Sequence, residues 1–95
     1  MTTGFHVHAV IVTYHPDVGR LRNLVAALLP QVKAVTIVDN GSPPKFDAML
    51  NFFATDALTV LRLGYNAGVA QGHNVGIAYV RQHGATHVIL FDQDS

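Results

Sequence analysis

Two carboxylates stand at the end of this chain, with the spacing that a cation site requires. Asp92 and Asp94 flank Gln93, directly after the apolar run Val88-Ile89-Leu90-Phe91. Side chains two apart on an extended backbone point to the same side. The pair can therefore converge on one cation at the carboxyl end of a buried strand. Hard oxygen ligands of this kind suit Mg²⁺ or Mn²⁺, with water and substrate phosphates supplying the remaining ligands. A third acid, Asp39, also follows an apolar run, Ala34 to Val38, and opens Asn40-Gly41-Ser42-Pro43. An acid at such a strand end can accept hydrogen bonds from a base or ribose. Each feature has a plainer reading. The terminal pair can be solvated carboxylates at a frayed end. Asn-Gly is a common turn pair, and Ser-Pro a common helix start.

Other chemistries find less support. The chain has no Cys, which removes disulfide frameworks and zinc-thiolate sites. It has six His. His6 and His8 share one side of a strand, but no third ligand follows from the spacing. These histidines read as scattered surface or strand-start residues, with His15 the exception because it follows the first strand. The glycines from Gly64 to Gly76 fit neither a GxGxxG nor a GxxxxGK[ST] pattern, which counts against a dinucleotide enzyme and a P-loop ATPase. Ser42 and Ser95 lack the context of a nucleophile elbow.

Composition narrows the class. Six basic and six acidic residues give a net charge of zero, with no basic tract, so nothing argues for nucleic acid as a partner. A hydrophobic fraction of 49% against 13% charged excludes intrinsic disorder. It indicates a sheet covered on both faces. Ninety-five residues make a single domain, 1–95. The N-terminus lacks a signal-length apolar run, and no segment approaches the roughly eighteen apolar residues of a membrane span. A cytoplasmic protein is expected. Any association with the cytoplasmic face of the inner membrane is left to sequence beyond this chain.

The elements that must position the acids can be read in order. His6 to Tyr14 is a nearly continuous β-branched run, the pattern of a central strand buried on both faces. Asp17 can cap a helix carrying Leu21, Leu24, Val25, Leu28 and Leu29 at helical spacing, ended by Pro30. Ala34 to Val38 is a second strand. Phe46, Met49, Leu50 and Phe53 mark a second helix from Lys45 to about Thr55. Leu58 to Leu63 is a third strand, nearer an edge. A third helix runs from about Val69 to His83, with Gly72 and Gly76 allowing close packing or close ligand approach and Gly84 as its stop. His87 to Phe91 is the fourth strand.

This order predicts an α/β fold, a Rossmann-like parallel sheet of about four strands with three helices. Helical crossovers give parallel neighbours, and the common strand order is 3-2-1-4. Ligands bind in the crevice at the carboxyl ends of the strands, where the order reverses. That crevice would collect Thr13, Tyr14 and His15, then Asp39 and Asn40, then Asp92 and Asp94.

Taken together, the motifs resemble the N-terminal half of a family 2 glycosyltransferase with the GT-A fold. The resemblance rests on Val10-Ile11-Val12-Thr13-Tyr14, Ile37-Val38-Asp39-Asn40-Gly41-Ser42, Asn66-Ala67-Gly68-Val69-Ala70, Asn74-Val75-Gly76-Ile77 and Phe91-Asp92-Gln93-Asp94-Ser95. It runs through nearly the whole chain, and the order and spacing of the motifs are together specific. The ending Asp-Gln-Asp-Ser, with the two Asn-x-Gly motifs upstream, looks most like the rhamnosyltransferase branch. Those enzymes use dTDP-L-rhamnose to build O-antigen and other cell-surface polysaccharides.

The resemblance implies roles. Thr13 and Tyr14 would line the nucleotide pocket, and Asp39 would bind the pyrimidine base. Asn66, Gly68 and Asn74 would shape the loop and helix near nucleotide and sugar. Asp92 would lie near the ribose or the metal's water shell, and Asp94 would ligate Mg²⁺ or Mn²⁺. Members of this type invert the anomeric centre, with a hydroxyl of a saccharide or lipid-linked saccharide acceptor as nucleophile. Their general base is an acid of the C-terminal half, so none is assigned here. A donor-binding fragment of a longer enzyme, inactive alone, is expected. Its fourth strand would carry an unpaired edge that invites a homodimer. Two rivals fit less well. A sugar nucleotidyltransferase fragment would carry a Gly-rich basic loop after strand one, where this chain reads Tyr14-His15-Pro16-Asp17. A non-catalytic flavodoxin-like or receiver-like module would, as a receiver, place an acid pair ahead of Asp39.

Overall fold

The β-branched run near the N-terminus forms β1 (Val7–Thr13), and the rest of the molecule is laid out on either side of it. The computed structural model describes residues 4–46, 48 and 57–93. Within them β1 is followed by α1 (Val18–Leu28), β2 (Ala34–Asp39), a 3₁₀ turn (Pro44–Phe46), β3 (Leu58–Arg62), α2 (Val69–Gln82) and β4 (His87–Asp92). The strands lie in the order β3-β2-β1-β4, and every neighbouring pair is parallel. This is the expected order, with the reversal between β1 and β4. Two α-helices occur among the described residues where three were expected. The remaining one, from Lys45 to about Thr55, begins in the 3₁₀ turn and otherwise falls almost entirely outside them.

Alternation along β1 feeds two cores. Ala9 and Ile11 face one side with Val35, Ile37 and Leu58, against Leu21, Val25 and Leu28 of α1. Val10 and Val12 face the other with Val38, against Val80 of α2. Each fully buried aliphatic side chain contributes about 1.5–3 kcal/mol relative to exposure, so the centre of the sheet carries most of the stability. Asp17 caps α1 as expected, its Oδ1 accepting from the Arg20 amide at 2.9 Å. The stripe of α1 is narrower than its sequence, because Leu29 sits at the helix end, 36% exposed.

The glycines of α2 serve packing. A Cβ on Gly72 would lie 3.0 Å from Val12 Cγ1, and one on Gly76 would lie 3.1 Å from Val38 Cγ2 and press into Val10. Their absence lets the helix backbone settle directly on β1 and β2.

Two expectations need correction. The apolar run of β4 reads as a buried strand, yet on the edge expected of it Ile89 is 44% and Leu90 43% exposed. Apolar content cannot distinguish a strand flanked on both sides from one with a neighbour on one side alone. His8 stands at a strand start, one of the two places expected for it, but it is not on the surface. It occupies the same face of β1 as Val10 and Val12, is 5% exposed, and its Nε2 has no hydrogen-bond partner. No helix among the described residues is long and apolar enough to cross a membrane.

Candidate functional site

A cleft of about 290 Å³ opens at the carboxyl ends of β1 and β4. Its walls are Val12, Thr13 and Tyr14 from the end of β1, Asn40 after β2, Asn66 and Val69 at the start of α2, and Asp92 and Gln93 at the end of β4. This is the position at which open α/β sheets bind ligands.

The base of the cleft is a buried polar network. Thr13 Oγ1 donates to Asp39 Oδ1 at 2.7 Å. Ser42 Oγ donates to the same oxygen at 2.6 Å, and the Ser42 amide donates to Oδ2 at 2.9 Å. Ser42 Oγ in turn accepts from the His15 amide at 2.9 Å. Thr13 and Asp39 are 0% and 3% exposed. A buried carboxylate is tolerated when donors surround it, and here three do. Asp39 thus ties the ends of β1 and β2 to the loop that follows. Its oxygens lie under the cleft, and its neighbour Asn40 reaches the cleft wall.

Asn40 is itself 2% exposed. Its amide donates to Thr13 O at 2.7 Å, continuing the β1–β2 ladder, and its Oδ1 accepts from the Ala67 amide at 2.7 Å. That bond pulls the loop before α2 onto the loop after β2. Gly41 makes the approach possible. Its φ is +87°, and a Cβ there would lie 2.5 Å from the Tyr65 carbonyl carbon and 2.8 Å from the Asn66 nitrogen. Asn66 Oδ1 accepts from the Gly68 amide at 2.9 Å, a local turn that leads into α2 with Gly68 as its N-cap.

The opposite wall is more open. Tyr14 is 45% exposed, its ring set edge-on to His15 at 4.4 Å between centroids. Both backbone groups of Tyr14 are held by one side chain: its amide donates to Gln93 Oε1 at 2.6 Å, and its carbonyl accepts from Gln93 Nε2 at 2.8 Å. The Asp92 side chain is 63% exposed, with His73 Nε2 3.8 Å from its Oδ1. His73 Nε2 also lies 3.4 Å from the Phe91 carbonyl.

The structure thus brings Thr13, Tyr14, Asn66 and Asp92 together around one cleft, with Asp39 beneath it and Gly68 at the adjoining helix start. Asn74 is not among the cleft walls. It sits on the exposed side of α2, because Gly72 and Gly76 turn the other side to the sheet. Asp94 lies outside the described residues. Among those described, no cluster of three or more His, Cys, Asp or Glu could hold a metal ion. The donor chemistry at Asp92 still fits a divalent cation: a carboxylate at the cleft rim is a hard oxygen ligand, suited to an ion that takes its other ligands from phosphates and water. Two participants escape sequence reasoning. Gln93 reads as a spacer between acids, and His73 as one more scattered histidine; no local pattern signals contacts between residues 79 and 18 positions apart.

Comparison with known proteins agrees with this geometry. A family model described as Glycosyl transferase family 2 matches residues 9–95. The dTDP-rhamnosyl transferase RfbF of Shigella flexneri is 38% identical over 96 aligned positions, which cover 95% of this chain and 30% of that protein. The chain therefore spans about a third of the length of this curated relative. No solved structure matches.

Proposed function

The chain belongs to glycosyl transferase family 2, and on that premise we propose that it is the donor-binding part of an enzyme transferring L-rhamnose from dTDP-L-rhamnose to a saccharide acceptor in cell-surface polysaccharide synthesis. The observation that carries the reading is the cleft at the strand-order reversal, walled by Tyr14, Asn40 and Asp92 among others. Rhamnose as the sugar is supported by the likeness to a dTDP-rhamnosyl transferase.

In this reading the nucleoside enters between Tyr14 and Asn66. Thr13 and Ser42 hold Asp39 in place at the cleft base, and Asp39 accepts from the pyrimidine base. Asp92 faces the diphosphate. Mg²⁺ or Mn²⁺ held there, with Asp94 as a further ligand, would neutralise charge on the departing dTDP. The reaction is an inverting displacement: an acceptor hydroxyl forms the new bond to the anomeric carbon, the bond to the diphosphate oxygen breaks, and the hydroxyl proton passes to a base. The exposed edge of β4 further supports pairing with a second copy. A concentration-dependent dimer in light scattering is the expected result, and a monomer at high concentration would remove that part.

The test is a titration of the ¹⁵N-labelled chain with dTDP, UDP and GDP, with and without Mg²⁺. Metal-enhanced shifts at Thr13, Asp39 and Asp92, strongest for dTDP, are expected. Tighter binding of UDP or GDP would overturn the rhamnosyl donor. A well-dispersed spectrum that no nucleotide perturbs would overturn the donor-binding reading.

A further inference from the structure

The backbone ladder between β1 and β4 ends at the pair Val12 and Asp92, yet the two chains do not separate there. Gln93 replaces the missing backbone rungs with its side chain. Its carboxamide takes the Tyr14 amide at 2.6 Å and returns a donor to the Tyr14 carbonyl at 2.8 Å. A carboxamide offers one acceptor and one donor edge at the spacing of a peptide group, so it extends the parallel pairing past the point where the strands would otherwise splay. The two joined residues both wall the cleft, just past the ends of the neighbouring strands β1 and β4. The bridge therefore sets the separation of the backbones that carry the ring of Tyr14 and the carboxylate of Asp92, one residue before Gln93.

We propose that Gln93 is a positioning residue of the nucleotide cleft: through its paired hydrogen bonds to the Tyr14 backbone it sets the cleft width, and with it the affinity for a nucleoside diphosphate. The width argument stands on the geometry. The affinity argument rests on the donor-binding reading above. Glu in place of Gln93 keeps the acceptor but places a second oxygen against the Tyr14 carbonyl. Met keeps the length and removes both bonds. Neither can reproduce the two-way pairing.

Amide hydrogen exchange and dTDP titration of the wild-type chain, Gln93→Met and Gln93→Glu test this. In the free wild-type chain the Tyr14 amide should be protected. In Gln93→Met its exchange should be at least about ten-fold faster, the loss expected when roughly 1.4 kcal/mol of hydrogen bonding is removed, while Val10 and Ile11 exchange as before. Gln93→Glu should fall between the two at Tyr14. The Kd for dTDP should rise about ten-fold in Gln93→Met. An unprotected Tyr14 amide in the wild type, or equal protection in Gln93→Met, would overturn the bridge. Equal dTDP affinity in Gln93→Met, with Tyr14 deprotected, would overturn its control of the cleft. A wild-type chain that binds no dTDP would defeat the donor-binding reading and the affinity claim together, while the exchange data would still decide the bridge by themselves.

Discussion

Thr13 and Asp39 meet beneath the cleft, hydroxyl to carboxylate at 2.7 Å, at the paired ends of two central strands. The contact joins residues 26 positions apart and closes the sheet under the ligand site. A buried carboxylate that loses one of three donors pays part of its desolvation cost again. Thr13→Val keeps the shape and removes the donor. It should lower stability to urea by about 1–2 kcal/mol and weaken nucleotide binding, since Asp39 also orders the Ser42 loop. Unchanged unfolding would show that the bond is not formed in solution.

Gly41 and Gly64 both have positive φ, +87° and +81°, but their surroundings differ. A Cβ on Gly64 meets nothing within 4 Å, whereas one on Gly41 meets the backbone of Tyr65 and Asn66. Gly64→Ala should cost about 1 kcal/mol from conformation alone. Gly41→Ala adds a clash that no rotamer relieves, and should cost upwards of about 2 kcal/mol. Thermal unfolding of the two variants checks the difference.

His8 makes stability depend on pH. Burial pushes its pKa below the ordinary 6.5, and positive charge on Lys33, His6 and His83 pushes the same way. The unfolded chain then binds more protons at this site than the folded one as pH falls below about 6.5. Stability from His8 is therefore complete above that pH and declines below it, towards the folded-state pKa. His8→Phe should flatten that part of the profile. Urea midpoints at pH 7.5, 6.5 and 5.5 give the slope, and identical slopes would count against the assignment.

Asp92→Asn separates metal from nucleotide. If Asp92 serves a cation shared with the diphosphate, the gain in dTDP affinity on adding Mg²⁺ should shrink at least about ten-fold. Affinity without metal should change little. Calorimetric titration in Mg²⁺ and in EDTA distinguishes this from a general loss of the cleft.

Much of the fold is legible before any coordinates. The continuous β-branched run of β1 can be satisfied in few ways other than a doubly covered central strand, and helices between strands enforce parallel pairing. Strand order is then the common one for such sheets, and the location of the cleft follows from it. The role of Asp39 was less legible. An acid at a strand end reads the same whether or not Thr13 and Ser42 also donate to it, since those contacts depend on side-chain directions on a neighbouring strand and loop. The same holds for Asn74, where helical position was visible but the side turned to the sheet was set by Gly72 and Gly76. The pairing of Gln93 with Tyr14 spans 79 positions and leaves no local trace.

The strand order also dictates when the cleft can exist. β1 pairs with β2 across about one helical crossover, but its other partner, β4, arrives from the far end of the sequence. Closing so long a loop is slow and comes after local structure has formed. One wall of the cleft can be in place while the other is still unattached. Among the described residues β4 pairs on one side only, so its detachment would leave β1, β2 and β3 paired. A nucleotide that bridged both walls of the cleft would fasten β4 to β1 and oppose that opening.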